Sequence, residues 1–464
     1  MDSLAGLLLY LPSAAAQYQT CRGRSTITQP IVIPQSEHGI SDADISGGAL
    51  KVLETLTDAG HGAYLVGGGV RDLLLGLEPK DFDVATSATP ETVRGLFRSC
   101  RLIGRRFRLA HVRMGREIIE VATFRAGLDD SSRDPDHVRV DGRIVRDNVY
   151  GTLEEDAWRR DFTANCLYYD HRERTVIDFT GGCSDIRDRR LRLIGRATER
   201  YREDPVRMLR AVRFAGKLGF DIEGDTSRTI FELAPLIEDM PPARLYEEVV
   251  KLFMAGAGRA SYELLRRYGL FGHLFPETEA CIDAEPDGTA DALVARALES
   301  TDTRIGSGKP VTPGFLFAAL LWEPVRQDAE ACTARGMSDL QAHDAAGADV
   351  IERQIQHVSL PRRFSLMVRE IWGLQPRLVN RRGRGAASRL FGNPRFRAAY
   401  DFLVLRAESG EDVAEHAQWW TRFQEAEDGE RRSMLEERRG SKRRRRRRRG
   451  RGTARPEPTG QPAM

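Results

Sequence analysis

Three glycines, Gly67-Gly68-Gly69, stand directly ahead of Val70-Arg71-Asp72, and an acidic pair, Asp81-Phe82-Asp83, follows closely. Glycine lets a backbone approach a bulky anion with no Cβ in the way. A helix that starts at such a turn offers unbonded N–H groups to the same anion. Arg71 adds a guanidinium able to grip a phosphate through two parallel bonds. The spacing predicts a strand over 81–85, on which Asp81 and Asp83 project from one face. Two carboxylates on a rigid strand suit Mg2+, which keeps waters and takes phosphate oxygens from a substrate. Alone, an Asp-x-Asp pair is most often two surface acids, and a glycine triplet is most often a loop. Together, on a strand–turn–helix–strand order, they point to phosphate chemistry.

Three further segments carry groups of the same kind. The first is Leu102 to Val112, which holds Arg105, Arg106 and His111. The second runs from Glu155 through Arg159, Arg160 and Asp161 to Asn165. The third runs from Tyr201 through Glu203, Asp204 and Arg207 to Arg210. Asp204-Pro205 reads as a helix cap followed by proline at the first helical position. Asp204 and Arg207 also make a base reader. A carboxylate accepts from the adenine amino group while a guanidinium donates to the ring nitrogen beside it. Cytosine offers the same order, so the pair rejects uracil and guanine without separating A from C. Arg207, Arg210, Arg213 and Lys217 recur at helical spacing, as a solvated basic face or the border of an RNA path. Leu209, Val212 and Phe220 are core candidates beside them.

The run Gly67 to Asp72 with Asp81 and Asp83 resembles the nucleotidyltransferase head shared by bacterial poly(A) polymerases and CCA-adding enzymes. Leu102 to Val112 resembles the poly(A) polymerase branch. Glu155 to Asn165 resembles the family's second motif, which contributes to the nucleotide site, and Tyr201 to Arg210 resembles its base-reading motif. The resemblance is dense from about Ile33 to Pro276 and looser from Pro313 to Phe423. It implies an enzyme, a polynucleotide adenylyltransferase, that adds AMP from ATP to RNA 3′ ends without a template and releases pyrophosphate, with Mg2+ as cofactor. It implies Asp81 and Asp83 as catalytic metal ligands and Asp161 as the third catalytic carboxylate, with Glu120, on a strand predicted over 118–124, as the competitor. It places Gly67, Gly68, Arg71, Asp72, Arg160, Asn165, Asp204, Arg207 and Arg210 at the nucleotide. Arg105, Arg106, Arg213, Lys217, Lys442, Arg443 and Arg449 are then the RNA contacts. RNA-decay proteins are candidate partners, and a membrane is not. Two rivals stand beside this reading: a CCA-adding tRNA enzyme, and a non-catalytic RNA-binding protein on the same scaffold. The 102–112 stretch and the basic C-terminal region disfavour the first, and the intact acid pair disfavours the second.

Composition agrees. The 464 residues are 41% hydrophobic and 30% charged, as in a soluble chain of several domains. Lys442, Arg443 to Arg449 and Arg451 carry nine positive charges, and subtracting them from the net +3 leaves −6 for the rest. A mildly acidic body with a basic tail points to a polyanionic partner. Six scattered cysteines form no Cys-x-x-Cys pair, which disfavours zinc and a disulfide framework and fits a reducing cytoplasm. No apolar run reaches the roughly 18 residues of a membrane span. Leu4 to Gln17 looks faintly like a signal peptide, but Asp2 stands where a basic start is needed.

The expected fold is α+β: an N-terminal nucleotidyltransferase head with a small mixed sheet, then all-helical domains and a disordered basic tail. The expected boundaries are a disordered lead over 1–34, the catalytic head over 35–190 and a helical base-reading and RNA-binding neck and body over 191–280. A linker over 281–312, a C-terminal helical domain over 313–438 and the Arg-rich tail over 439–464 complete the chain. Within the head, the patterns predict helices over 46–60, 70–75 and 89–97, the last capped by Thr89 with Pro90 behind it. They predict strands over 63–66, 101–103, 107–112 and 118–124, and a mobile loop over 127–142. Trp372, Trp419 and Trp420 are expected in a core rather than stacked on bases.

Overall fold

The computed structural model describes residues 29–104, 108–127, 137–140, 143–147, 149–285, 288–380 and 384–435. The described strands are β1 (Ile31–Pro34), β2 (Ala63–Val66), β3 (Asp83–Thr86), β4 (Cys100–Ile103), β5 (Leu109–Met114), β6 (Glu117–Thr123), β7 (His137–Val140), β8 (Arg143–Asp147), β9 (Leu167–Asp170), β10 (Thr175–Asp178), β11 (Arg190–Leu191) and β12 (Asp221–Ile222). Eight of them form one mixed sheet in the order β1-β10-β9-β2-β3-β6-β5-β4, with β3 and β6 parallel. Across its centre Val66, Asp83, Glu120, His111 and Arg101 are successive register partners. Cross-strand partners share a face, so four polar side chains stand in one row.

Local signals explain most elements. Ser46 caps the helix Gly47–Asp58 by accepting from Ala49 N, and that helix buries Ala49, Val52, Leu53 and Leu56. Thr89 caps Pro90–Leu96 in the same way. Under the sheet, Val66, Ala85, Phe124, Ala157, Cys166, Tyr168 and Ile194 form a core cluster.

The structure departs from expectation in four places. The acid-bearing strand begins at Asp83, so Asp81 lies in the preceding loop and is exposed. Buried Phe82, packed against Gly69, anchors that loop and fixes where pairing starts. The expected loop over 127–142 contains β7, which pairs antiparallel with β8 just after it. The expected linker contains the helix Thr289–Gly306, which buries Ala290, Leu293, Val294, Ala297 and Leu298. Its polar residues have structural duties that imitate a loop composition: Asp302 accepts from Gly258 N and Arg259 N, and Thr301 bonds back to Ala297 O. Finally, β12 pairs with β11 in a region expected to be helical throughout.

The chain divides into two compact units. The first takes residues 1–240 and Leu264–Leu270, so residues 191–240 group with the head rather than with a separate neck. The second takes Pro241–Glu263 and residues 271–464. Within the second unit, helices surround a core containing Leu374, Leu378, Phe396, Leu403, Trp420 and Phe423. Trp372 and Trp420 are buried, donating to Ala318 O and Leu378 O, and Trp419 stacks on Phe423. Their use is packing. Among the described residues no helix is long and apolar enough to cross a membrane. The lead over 1–28 and the tail from 436 onward lie outside the described residues.

Candidate active site

The glycine turn leaves β2 with Gly67 at φ 78° and ψ −134°, a conformation that side chains with a Cβ rarely take. The helix Gly68–Leu74 follows at once, its first N–H groups outside the helical ladder. A Cβ at Gly67 would lie 3.7 Å from Arg160 Nη1 and 4.0 Å from Asp83 Oδ2. The turn, the acid and the guanidinium therefore converge on one spot.

Arg160 reaches that spot because its other donors are fixed. Nε and Nη2 bond to Asp156 Oδ2 at 3.2 and 3.0 Å, and Nε also bonds to the Tyr168 hydroxyl at 2.9 Å. Asp156 is buried and takes the Tyr168 hydroxyl as well, at 2.8 Å. Neither Asp156 nor Tyr168 was singled out in the sequence. An acid four residues ahead of an arginine on a helix was the available signal.

Asp83 is half-buried and Glu120 stands opposite it on the parallel strand. Burial and the Glu120 charge push the Asp83 carboxyl up to about 6, against the pull of Arg160, with Asp81 adding to the rise. Glu120 Oε1 lies 3.1 Å from His111 Nε2. Among the described residues no three His, Cys, Asp or Glu side chains gather closely enough to cage a metal. Asp81 and Asp83 thus offer part of a shell with negative charge to spare. That fits a hard divalent ion that completes its shell on phosphate oxygens and water.

Arg71 departs from its expected role. It is buried, and its Nε and Nη2 bond to Asp72 Oδ1 while Nη1 bonds to Asn165 Oδ1 at 2.5 Å. Arg71, Asp72 and Asn165 brace the glycine turn, which engages three of the five N–H groups of Arg71. Gly68 packs on that guanidinium.

Asp161 also sits elsewhere than a metal-ligand reading expects. Its Oδ1 accepts from Arg207 Nε at 2.8 Å, its Oδ2 lies 2.5 Å from Arg210 Nη1, and Arg200 Nη2 is 4.0 Å from Oδ1. Burial alone would raise its pKa, but Arg210 and Arg207 hold it down at about 2. Its sequence neighbours Arg159 and Arg160 bond instead to Ala126 O and Asp156. Arg207 is buried, and its Nη1 donates to Arg200 O and Glu203 Oε2, both at 2.8 Å. Nε and Nη1 are thereby committed to protein partners. Asp204 closes Ala197–Glu203 and accepts from Val206 N at 3.3 Å, while Pro205, expected at the first helical position, takes the N-cap position of Val206–Leu218. Arg213 lies over the Phe214 ring, and Lys217 is exposed. Arg105, Arg106, Lys442, Arg443 and Arg449 lie outside the described residues.

A mixed sheet presenting acids beside a glycine turn, with helices carrying a fixed arginine next to it, defines a nucleotidyltransferase. Three family descriptions match in succession: "Poly A polymerase head domain" over 63–192, "Probable RNA and SrmB- binding site of polymerase A" over 219–282 and "Polymerase A arginine-rich C-terminus" over 335–452. Poly(A) polymerase I of Salmonella typhimurium is 48% identical over 88% of this chain and 88% of its own length. The CCA-adding enzyme of Geobacillus stearothermophilus is 39% identical over 49% of this chain and 54% of its own. Among solved structures, the Bacillus stearothermophilus CCA-adding enzyme in complex with CTP matches with a TM-score of 0.51 and 27% identity, covering 82% of each chain. The chain belongs to the bacterial poly(A) polymerase I family, and it is an enzyme of the poly(A) polymerase class acting on RNA 3′ ends.

Proposed function

We propose that the chain adds AMP units from ATP to RNA 3′ ends without a template, releasing pyrophosphate. The observation that carries this reading is the extent of the likeness. It runs along 88% of the chain for poly(A) polymerase I and along 49% for a CCA-adding enzyme.

Asp81 and Asp83 would hold Mg2+, which when bound lowers the pKa of the attacking 3′-hydroxyl and stabilises charge on the leaving pyrophosphate. Glu120 is the acidic group beside Asp83 in the sheet, and it sets the charge of that side of the site. Arg160 and the Gly67–Gly68 backbone receive the triphosphate, placing the α-phosphate in line with the RNA 3′-oxygen. Asp204 accepts from the adenine amino group and Arg207 Nη2 donates to the adjacent ring nitrogen. Asp161 serves the reaction by holding Arg207 and Arg210 in place. Arg213, Lys217 and the basic tail hold the RNA backbone without reading sequence. A protein partner from RNA decay would meet the 219–282 region, whose family description names SrmB as well as RNA. Five free thiols among the described residues fit a reducing cytoplasm.

The test offers an unstructured RNA, and a tRNA lacking its terminal CCA, with Mg2+ and one nucleoside triphosphate at a time. Long ladders with ATP on the unstructured RNA, little use of CTP, and loss of both with Asp81→Ala or Asp83→Ala are expected. Addition of C, C and A to the tRNA followed by a stop would replace this reading with the CCA-adding one.

A further inference from the structure

We propose that His111 is a positioning residue for nucleotidyl transfer, holding the Glu120 carboxylate beside Asp83. The inference rests on the reading above, in which Glu120 belongs to the acidic side of the site.

The register carries the argument. His111 on β5 is the direct partner of Glu120 on β6, and Glu120 is the direct partner of Asp83 on β3. All three side chains therefore stand on one face, in neighbouring strands about 5 Å apart. The imidazole is mostly buried while the Glu120 side chain is half exposed. His111 Nε2 is shielded from solvent and lies 3.1 Å from Glu120 Oε1, within ion-pair distance but outside hydrogen-bond alignment. An exposed glutamate samples several rotamers, whereas one whose Oε1 rests against a packed ring is restricted. Glu120 Oε2 makes no bond among the described residues. The contact needs a polar nitrogen in the place of Nε2 to face Oε1.

Glu120 is the register partner of Asp83, so a wandering Glu120 carboxylate would change the field at the metal-side acids. His111 makes no contact with the base-reading cluster around Asp161, so its loss leaves base choice alone.

The full-length protein is compared with His111→Ala, His111→Gln and Glu120→Gln. Three quantities are read: kcat and KM for ATP on an unstructured RNA, Mn2+ affinity by electron paramagnetic resonance with a non-hydrolysable ATP analogue, and thermal melting. His111→Ala is expected to lower kcat and Mn2+ affinity by roughly 10- to 100-fold, the usual range for groups that orient ligands, with KM for RNA unchanged. His111→Gln, whose amide N–H reaches the same place, should recover both to within a few-fold. If Glu120→Gln is impaired while His111→Ala keeps wild-type kcat and Mn2+ affinity, the positioning role is wrong and the Glu120 reading survives. Equal loss in His111→Gln and His111→Ala, with both folded, also overturns it. Wild-type behaviour of Glu120→Gln overturns the Glu120 reading and this inference with it.

Discussion

Removing the Asp161 carboxylate would strand the buried Arg207 guanidinium and take a partner from the partly exposed Arg210. Breaking a buried pair from one side costs about 3–5 kcal/mol, more than a surface bridge ever supplies. Asp161→Asn is therefore expected to lower both the melting temperature and kcat/KM for ATP, because Arg207 loses the bond that aims it. A ligand-only role would leave stability unchanged, and a wild-type melting temperature would reject the account. The pH dependence has a definite sign. The Asp161 carboxyl is depressed to about 2 from an ordinary 3.8, so its stabilisation is complete above pH 3.8 and is lost as pH falls through 2. The shift corresponds to stabilisation on the order of 2 kcal/mol. Urea melts of wild type and Asp161→Asn should converge across that acidic window and stay parallel at neutral pH.

At the scale of elements, the site depends on close backbone approaches that only glycine permits. Gly182 opens a short helix whose backbone lies against the turn Thr163–Asn165, and a Cβ there would meet the Thr163 carbonyl oxygen at 2.2 Å. The turn cannot yield easily, since Thr163 donates to Asp185 and its N–H bonds to Arg192 O. It also carries Asn165, which holds Arg71 under the glycine turn. Gly182→Ala is expected to cost about 1–3 kcal/mol of stability through overpacking. It should also reduce AMP incorporation more than the loss of fold alone explains, measured at a temperature where both proteins are folded. Full activity with a lowered melting temperature would separate this turn from the site. The same elements show how a strand start was misplaced by two residues: alternation fits either start, and only the seating of Phe82 against Gly69 decides it.

At the scale of the molecule, the basic stretch Lys442 to Arg451 lies beyond every motif of the catalytic head. Closely spaced arginines bind a polyanion by releasing its counterions, a gain that fades with added salt. Deleting residues 440–464 should leave the single-turnover rate on saturating RNA unchanged and weaken RNA affinity at low salt. The slope of log affinity against log salt should also become shallower. Equal affinities at low salt would show the tail to be a bystander. The grouping of residues 191–240 with the head belongs to this scale too. The helix Val206–Leu218 carries Arg207 and Arg210, both bonded to Asp161, and the paired strands β11 and β12 add a backbone link.

What the sequence determined by itself was local. The strand Ala63–Val66, the glycine turn after it, the Ser46- and Thr89-capped helices and the core residues Leu209, Val212 and Phe220 all follow from periodicity, caps and backbone freedom acting within a few residues. The types of the site residues were visible for the same reason, since motif spacing lies along the chain. Which partner each charge chose was not. Arg71 turned inward to an asparagine 94 positions away, and Arg207 took a carboxylate 46 positions away. His111 and Glu120 met because two strands paired in one register rather than the next. The helix Thr289–Gly306 looked like a linker because the acceptors and apolar neighbours that use its polar and small residues lie elsewhere in the chain. Charged side chains are long and accept many geometries, so sequence restricts them weakly. Burial removes water as an alternative partner, and only the tertiary structure decides which charges must then satisfy one another.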